Sequence, residues 1–201
     1  MESLDELLRQ AEAAHGHLCA GQVLGVRMSL LGLARLGIAE PHGADRKRLV
    51  TYVEIDRCAT DAIALVTGCR LGKRSLKFRD WGKMAATFVD LASGRGLRVV
   101  ALEDTRELAA QIYPHLETKG RQQLQAYREL PEARLFCEQW VRVNIDPTDL
   151  PGTSRDRVVC QRCGEGVNFG RFSVINGESL CFTCARPELR YWNASAPEGS
   201  I

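Results

Sequence analysis

Two pairs of cysteines near the C-terminus carry the strongest chemical signal in the sequence. Cys160-x-x-Cys163 is followed, after 17 intervening residues, by Cys181-x-x-Cys184. Thiolates at this spacing are the ligands of tetrahedral structural zinc sites, in which two short knuckles close on one ion. The alternatives are free thiols in a loop or a catalytic zinc, but four thiolates leave no open position for water or substrate. The sequence therefore predicts a structural zinc ribbon.

A second group of candidate ligands lies in the first third of the chain. Imidazole and thiolate together suit zinc, iron, nickel or copper rather than magnesium or calcium, so this group predicts a second transition-metal site. The alternative is that the histidines cap or pack locally and the cysteines are small core residues. The group consists of His15, His17, Cys19, Cys58, Asp61 and Cys69.

The segment from Arg70 to Lys83 is the most strongly charged part of the chain, with six basic residues against the single acid Asp80. Because it directly follows the cysteine-containing block, it can hold an anionic substrate or cofactor beside a metal. A solvated edge of a sheet explains the same charges. If the segment has a role in a site, Lys73 after a glycine is its best single candidate.

Composition restricts the classes of protein to consider. The chain has 201 residues, 45% of them hydrophobic, and a net charge of +2, which suits one globular core plus a small appendage and gives no general reason to expect nucleic acid. The apolar stretch Val23–Ile38 contains Arg27 and Arg35 and is shorter than the roughly 20 residues of a membrane span. An acidic amphipathic N-terminus is unlike a signal peptide, so we expect a cytoplasmic protein without a membrane segment.

Hydrophobic periodicity and turn residues predict an α+β domain with a mixed or antiparallel sheet flanked by helices. The expected domains are a core over 1–146, a linker over 147–157, the zinc ribbon over 158–186 with two short hairpins, and a flexible tail over 187–201. The predicted helices cover 2–14, about 17 residues from 21, 60–67, 104–115 and 119–130, with a short one after Pro131. The predicted strands cover 49–56, 76–78, 84–91, 97–102 and 141–145, with a hairpin turn at 93–96.

Small residues recur every four positions in the second helix, at Gly21, Gly25 and Ser29. Such a stripe lets another backbone approach closely, which predicts a tight contact with a helix or sheet. Together with the resemblance described next, it also leads us to expect a homodimer.

Four blocks of the sequence resemble the FmdE family, which is named for a component of formylmethanofuran dehydrogenase. They are His15–Arg27, Val53–Ile63, Thr67–Lys73 and Asp80–Lys83. The resemblance covers roughly residues 10–145, and the C-terminal ribbon is similar to the zinc finger of many family members. One departure is Ala20, where the family usually has proline. The resemblance implies a commonly dimeric α+β domain whose His, Cys and Asp residues surround a cavity, without implying a particular reaction.

With the resemblance included, the preferred ligands of a core metal are His17, Cys19 and Cys58, with His15, Asp61 and Cys69 as alternates. The expected function is a metal-binding accessory or cofactor-handling protein, with a molybdenum or tungsten enzyme as a candidate partner. One alternative is a metal-dependent enzyme acting on an anionic small molecule, in which Cys58, Asp61 and Lys73 are the catalytic candidates. A further alternative is a regulator that binds a partner through its ribbon. The ribbon has a net charge of only +1 between residues 156 and 190, from five basic and four acidic residues, which argues against nucleic acid.

Overall fold

The computed structural model describes residues 2–152 and 156–193 and divides the chain into two compact units, Met1–Ile145 and Asp146–Ile201. The first unit ends one residue before the predicted core boundary. Within the second unit, the 3-10 turns Pro147–Asp149 and Pro187–Leu189 fall in the predicted linker and tail. Residues 153–155 of the predicted linker and 194–201 of the predicted tail lie outside the described residues.

The first unit combines a five-stranded sheet with helices, which confirms the predicted α+β class. The strands are β1 (Leu49–Val53), β2 (Leu76–Phe78), β3 (Ala85–Asp90), β4 (Arg95–Ala101) and β5 (Phe136–Val141). The helices are α1 (Leu4–His15), α2 (Ala20–Leu36), α3 (Cys58–Thr67), α4 (Thr105–Ile112), α5 (Lys119–Glu129) and α6 (Glu132–Leu135), and a 3-10 turn covers Leu71–Lys73. The strand order in the sheet is β2-β1-β3-β4-β5; β1 and β2 are parallel, whereas the other neighbours are antiparallel.

Helix α2 lies at the centre of the apolar core and packs on β3 and β4. Gly32 makes this approach possible, because a side chain there would collide with the ring of Phe88 on β3. Phe88 and its cross-strand neighbour Leu97 are fully buried. The C-terminal half of α2 is therefore packed tightly against the sheet. Its N-terminal half contributes to the site described below.

The predicted strand at Val141–Ile145 is wrong, because the last strand of the first unit is β5 at Phe136–Val141. β5 is an edge strand whose residues from Cys137 to Trp140 are all exposed. A strand that buries neither face shows no alternation of apolar and polar residues, so its sequence pattern does not reveal it.

The second unit contains the two predicted hairpins, followed by a short helix. β6 (Arg157–Val159) pairs with β7 (Gly166–Asn168), β8 (Phe172–Ile175) pairs with β9 (Glu178–Cys181), and α7 covers Phe182–Ala185. Its buried apolar cluster has five members, of which three are cysteines. Within the described residues, no helix has the length and apolar character needed to cross a membrane.

Asp90 holds the turn between β3 and β4. Its carboxylate accepts hydrogen bonds from Ala92 N (3.1 Å), Ser93 Oγ (2.7 Å) and both Nε and Nη2 of Arg48 (3.1 Å each). Burial alone would raise the pKa of Asp90, but these hydrogen bonds, above all those from Arg48 and Ser93, outweigh it and lower the pKa to about 2.

We predict that Asp90→Asn lowers the free energy of unfolding at neutral pH by about 1.5–3 kcal/mol, the range for hydrogen bonds to charged groups. The pKa of Asp90 is lower in the folded chain than its ordinary value of 3.8. Its contribution is therefore complete above pH 3.8 and disappears as the pH falls through about 2. Urea unfolding from neutral pH down to pH 2 measures the difference, with the exposed Asp56→Asn as control. A difference that stays constant with pH would contradict the prediction.

Candidate metal centres

The first centre lies at the turn between α1 and α2. α1 ends at His15, and Gly16 reverses the chain with φ 90° while its N–H donates to Glu12 O (2.8 Å). His17 follows in the turn, and Cys19 is the N-cap of α2. One short turn therefore presents all three side chains, because a glycine tolerates the left-handed conformation that ends the first helix.

The ligand atoms of His15, His17 and Cys19 all lie within 4.8 Å of one another. In a tetrahedral site with bonds of about 2.0–2.3 Å, two ligand atoms lie about 3.3–3.8 Å apart, so side-chain shifts of about 1 Å would let these three residues share an ion. The two imidazole rings are 5.0 Å apart between centroids. His17 is exposed, whereas His15 and Cys19 are partly buried, so the group opens to solvent on one side.

Gln22 holds this turn in place, and the sequence alone did not single it out as a site residue. Its buried side chain donates from Nε2 to Ala11 O (3.0 Å) in α1 and accepts at Oε1 from the backbone N–H of Cys19 (3.1 Å). The signal was present in the position of Gln22 three residues after the N-cap, where Glu or Gln closes a capping box. Gln22 thus links α1, before the ligand turn, to the backbone of Cys19, at its end.

Cys58 reaches the same place from the other side, because α2 and α3 cross very closely. A Cβ on Gly25 would lie 2.9 Å from Ala62 Cβ and closer still to the backbone oxygen of Ala59. A Cβ on Gly21 would lie 3.6 Å from Cys58 Cβ and 3.8 Å from Cys19 Sγ. The small-residue stripe therefore makes a helix contact within the chain, as expected, and it is used there rather than at a dimer interface.

The Cys58 thiol lies beside that of Cys19 but outside the 4.8 Å group of three. Burial raises the pKa of Cys58, and the neighbouring Cys19 thiol raises it further. Asp61, one turn along α3, places Oδ2 3.4 Å from Nδ1 of His15. A carboxylate at this nitrogen selects the tautomer whose Nε2 is free to bind a metal.

The other two candidates from this region lie elsewhere. Cys69 is buried, where its Sγ accepts from Thr51 Oγ1 (3.5 Å) and donates to Leu49 O (3.7 Å) at the start of β1. Lys73 is exposed in the turn that precedes β2. Because β1 and β2 are parallel, both lie near the start of β1, about 13 Å along the strand from the end that leads to Cys58.

The basic segment runs along the sheet edge formed by β2. Arg79 N donates to Val53 O (2.9 Å) and Lys83 N donates to Glu54 O (3.1 Å). These two residues therefore lie beside the end of β1 that leads to Cys58. Lys77 is buried and Arg74 is partly buried, whereas Arg70, Lys73, Arg79 and Lys83 are exposed.

The second centre is in the hairpin unit, where the ligand atoms of all four predicted cysteines lie within 4.8 Å of one another. Cys181 N donates to Cys160 Sγ (3.3 Å), and Cys163 Sγ is 3.9 Å from Cys181 Sγ. Arg190 Nη2 also lies 3.6 Å from Cys184 Sγ. Four sulfur atoms in this arrangement can hold one metal ion.

The cysteine thiols of the second centre differ in pKa, because backbone N–H groups stabilise some of the thiolates while neighbouring thiols destabilise others. Hydrogen bonds from the backbone of Cys163 and then Cys181 lower the pKa of Cys160 to about 6. The Glu165 N–H acts on Cys163 in the same direction, but burial and the three other thiols outweigh it and raise its pKa to about 12. A bound cation would stabilise all four thiolates together, which the protein groups alone do not.

Comparison with known proteins agrees with the fold and places the first unit in a family. The family described as "FmdE, Molybdenum formylmethanofuran dehydrogenase operon" matches residues 14–137. This chain belongs to the FmdE family. That span includes the whole first centre and ends within β5.

Two known proteins match this chain beyond the family span. A protein of Archaeoglobus fulgidus named "Probable S-adenosyl-L-methionine-binding protein" is 30% identical over 206 residues, covering 90% of this chain and 53% of its own length. The chain thus spans about half of that relative. The crystal structure of a tungsten formylmethanofuran dehydrogenase FmdE-like protein from Syntrophus aciditrophicus has a similar fold. It matches with a TM-score of 0.63 and 22% identity, over 94% of this chain and 95% of that one.

We predict that Gln22→Met lowers the free energy of unfolding by about 1–3 kcal/mol, because it leaves the partly buried N–H of Cys19 without its acceptor and the Ala11 carbonyl without its donor. Methionine fills a similar volume, so the loss reports the hydrogen bonds rather than a cavity. Urea unfolding measures the change, and Gln123→Met on α5 is the matched control. Equal stabilities of the two variants would show that Gln22 does not brace the ligand turn.

Proposed function

We propose that this chain is a metal-binding accessory protein of the FmdE family, with a transition-metal site in its first unit and a zinc-stabilised ribbon in its second. The observation that carries the proposal is the convergence of His15, His17 and Cys19 within 4.8 Å on a turn open to solvent. The association of the family with a formylmethanofuran dehydrogenase operon supports a molybdenum or tungsten enzyme as the partner.

In this proposal His15, His17 and Cys19 bind the ion and Cys58 supplies a fourth ligand after a small side-chain movement. Asp61, beside Nδ1 of His15, favours the tautomer of that imidazole whose Nε2 is free to bind the ion. Two imidazoles with one or two thiolates suit zinc, cobalt, nickel or iron. When bound, the ion would supply Lewis acidity or a transferable metal, and the chain's own residues hold it at an accessible position.

An enzyme acting on an anionic small molecule is the second candidate, and the exposure of His17 favours it, because a ligand can approach the ion from that side. Arg79 and Lys83 are better placed than Lys73 to meet the anion, since they lie at the end of β1 that leads to Cys58. The accessory role is preferred because Lys73, one of the three catalytic candidates, lies at the far end of the strand pair.

We predict that the chain binds two metal ions and that Cys19→Ala/Cys58→Ala binds one. The double variant removes thiolate ligands from the first centre and leaves the ribbon unchanged. Elemental analysis of protein loaded with zinc, iron, nickel or cobalt in turn, after gel filtration, measures the stoichiometry.

Cys69→Ala/Cys137→Ala is the matched control, since it removes two thiols that lie outside both centres and should still bind two ions. If the unmodified chain never binds more than one ion with any of these metals, the first centre is not a metal site. Its residues would then be better explained as a metal-free pocket.

We also predict that Cys163→Ser releases the ribbon metal and unfolds residues 158–185 while the first unit stays folded. Metal binding contributes roughly 10–16 kcal/mol to the folding of small zinc modules, far more than the few apolar residues of this unit can replace. Elemental analysis and hydrogen exchange measure the two effects, with Cys137→Ser as control. Full metal content in the Cys163 variant would refute the four-cysteine assignment.

The homodimer stays a prediction from the resemblance, since the small-residue stripe is occupied within the chain. Light scattering at micromolar concentration tests it, and a 22.3 kDa particle would refute it.

A further inference from the structure

A concave surface at the end of the β3–β4 hairpin takes no part in either metal centre. Its volume is about 420 Å³, within the range of about 300–1,000 Å³ typical of small-molecule sites. It lies between the hairpin turn and the end of the edge strand β5. The lining residues are Ser93, Gly94, Arg95, Trp140, Val141 and Arg142.

Trp140 forms the apolar wall of this cleft and is 51% exposed. The guanidinium carbon of Arg95 lies 4.3 Å from the centre of the indole ring, so the two planar groups form a cation–π pair. A second planar group can stack on such a pair, because guanidinium and indole both present flat faces.

Two arginine side chains line the cleft, Arg95 and Arg142. In the described part of the chain, neither Arg95 nor Arg142 forms an ion pair. Other arginines of the sheet differ: Arg98 makes a bidentate pair with the buried Glu54, at 2.6 Å for each contact. The cleft thus combines cations available for an anion with an exposed aromatic ring.

The hairpin turn that carries Arg95 is held in place before any ligand arrives. Ser93 Oγ donates to the Asp90 carboxylate and accepts from Arg95 N (3.3 Å), and Gly94 takes φ 69° to complete the turn. A binding site whose backbone is already ordered loses less conformational entropy when it binds.

We infer that this cleft binds a nucleoside monophosphate or a phosphomonoester of similar planar structure. The phosphate, with a charge of about −1.5 to −2 at neutral pH, matches the two guanidinium groups, whereas a carboxylate would match only one. The planar base stacks on the Arg95–Trp140 pair. This site is independent of the metal centres and of the function proposed for them.

Trp140 itself reports on the site in a chain that carries Trp81→Phe and Trp192→Phe. The chain has three tryptophans, and the two that are replaced are exposed and lie outside the cleft. Titration with adenosine 5′-monophosphate should quench Trp140 fluorescence in a saturable way. Adenosine and inorganic phosphate, which each supply half of the ligand, should bind at least about tenfold more weakly.

Arg142→Gln in the same background should weaken adenosine 5′-monophosphate binding about tenfold, because it removes one charged contact to the phosphate. Arg121→Gln on α5 removes the same charge from an exposed position and should leave the affinity unchanged. Absence of saturation up to about 5 mM would overturn the proposal. So would equal binding of adenosine, or equal loss of affinity in the two arginine variants, since neither result requires a phosphate site.

Discussion

The close crossing of α2 and α3 at Gly25 determines where chemistry can occur in the first unit. Any larger side chain at this position would meet the backbone of Ala59 and the side chain of Ala62, and the helices would separate. Cys19 begins one of these helices and Cys58 begins the other. The distance between the two thiols is therefore set by a contact between helices, and a glycine with no functional group of its own is essential to the arrangement.

Both thiols of this centre lie at helix N-termini, where the helix dipole favours a negative charge. Against this, burial and the presence of Cys19 raise the pKa of Cys58. These influences oppose each other, and a cation is the simplest group that would satisfy both sulfur atoms. In the proposed site Gln22 and Asp61 are not ligands, but they restrain the Cys19 backbone and the His15 ring.

The two units differ in the interactions that can stabilise them. The first buries an apolar core between α2 and the sheet, including the large side chains of Phe88 and Leu97. The second has a buried cluster of five residues that is mostly cysteine. A module with so little apolar surface needs another source of free energy, and a metal ion held by the four sulfur atoms would supply it. In the proposed function, folding therefore depends on the metal ion in the ribbon but not in the first unit.

The sequence by itself identified the ribbon cysteines, the α+β class and the strand at residues 76–78, because these depend on local spacing and periodicity. It also grouped His15, His17 and Cys19, which one turn carries. It missed β5, since an edge strand with two exposed faces leaves no hydrophobic pattern. Residue spacing alone did not bring Cys58 to Cys19; the family resemblance led us to expect it, and the tertiary structure shows the two thiols side by side. Only the tertiary structure separated Cys69 from them, at the opposite end of β1. The position of Cys58 is set by the crossing of α2 and α3, and that of Cys69 by the parallel pairing of β1 with β2. Contacts between such distant segments leave no periodic signal in the sequence.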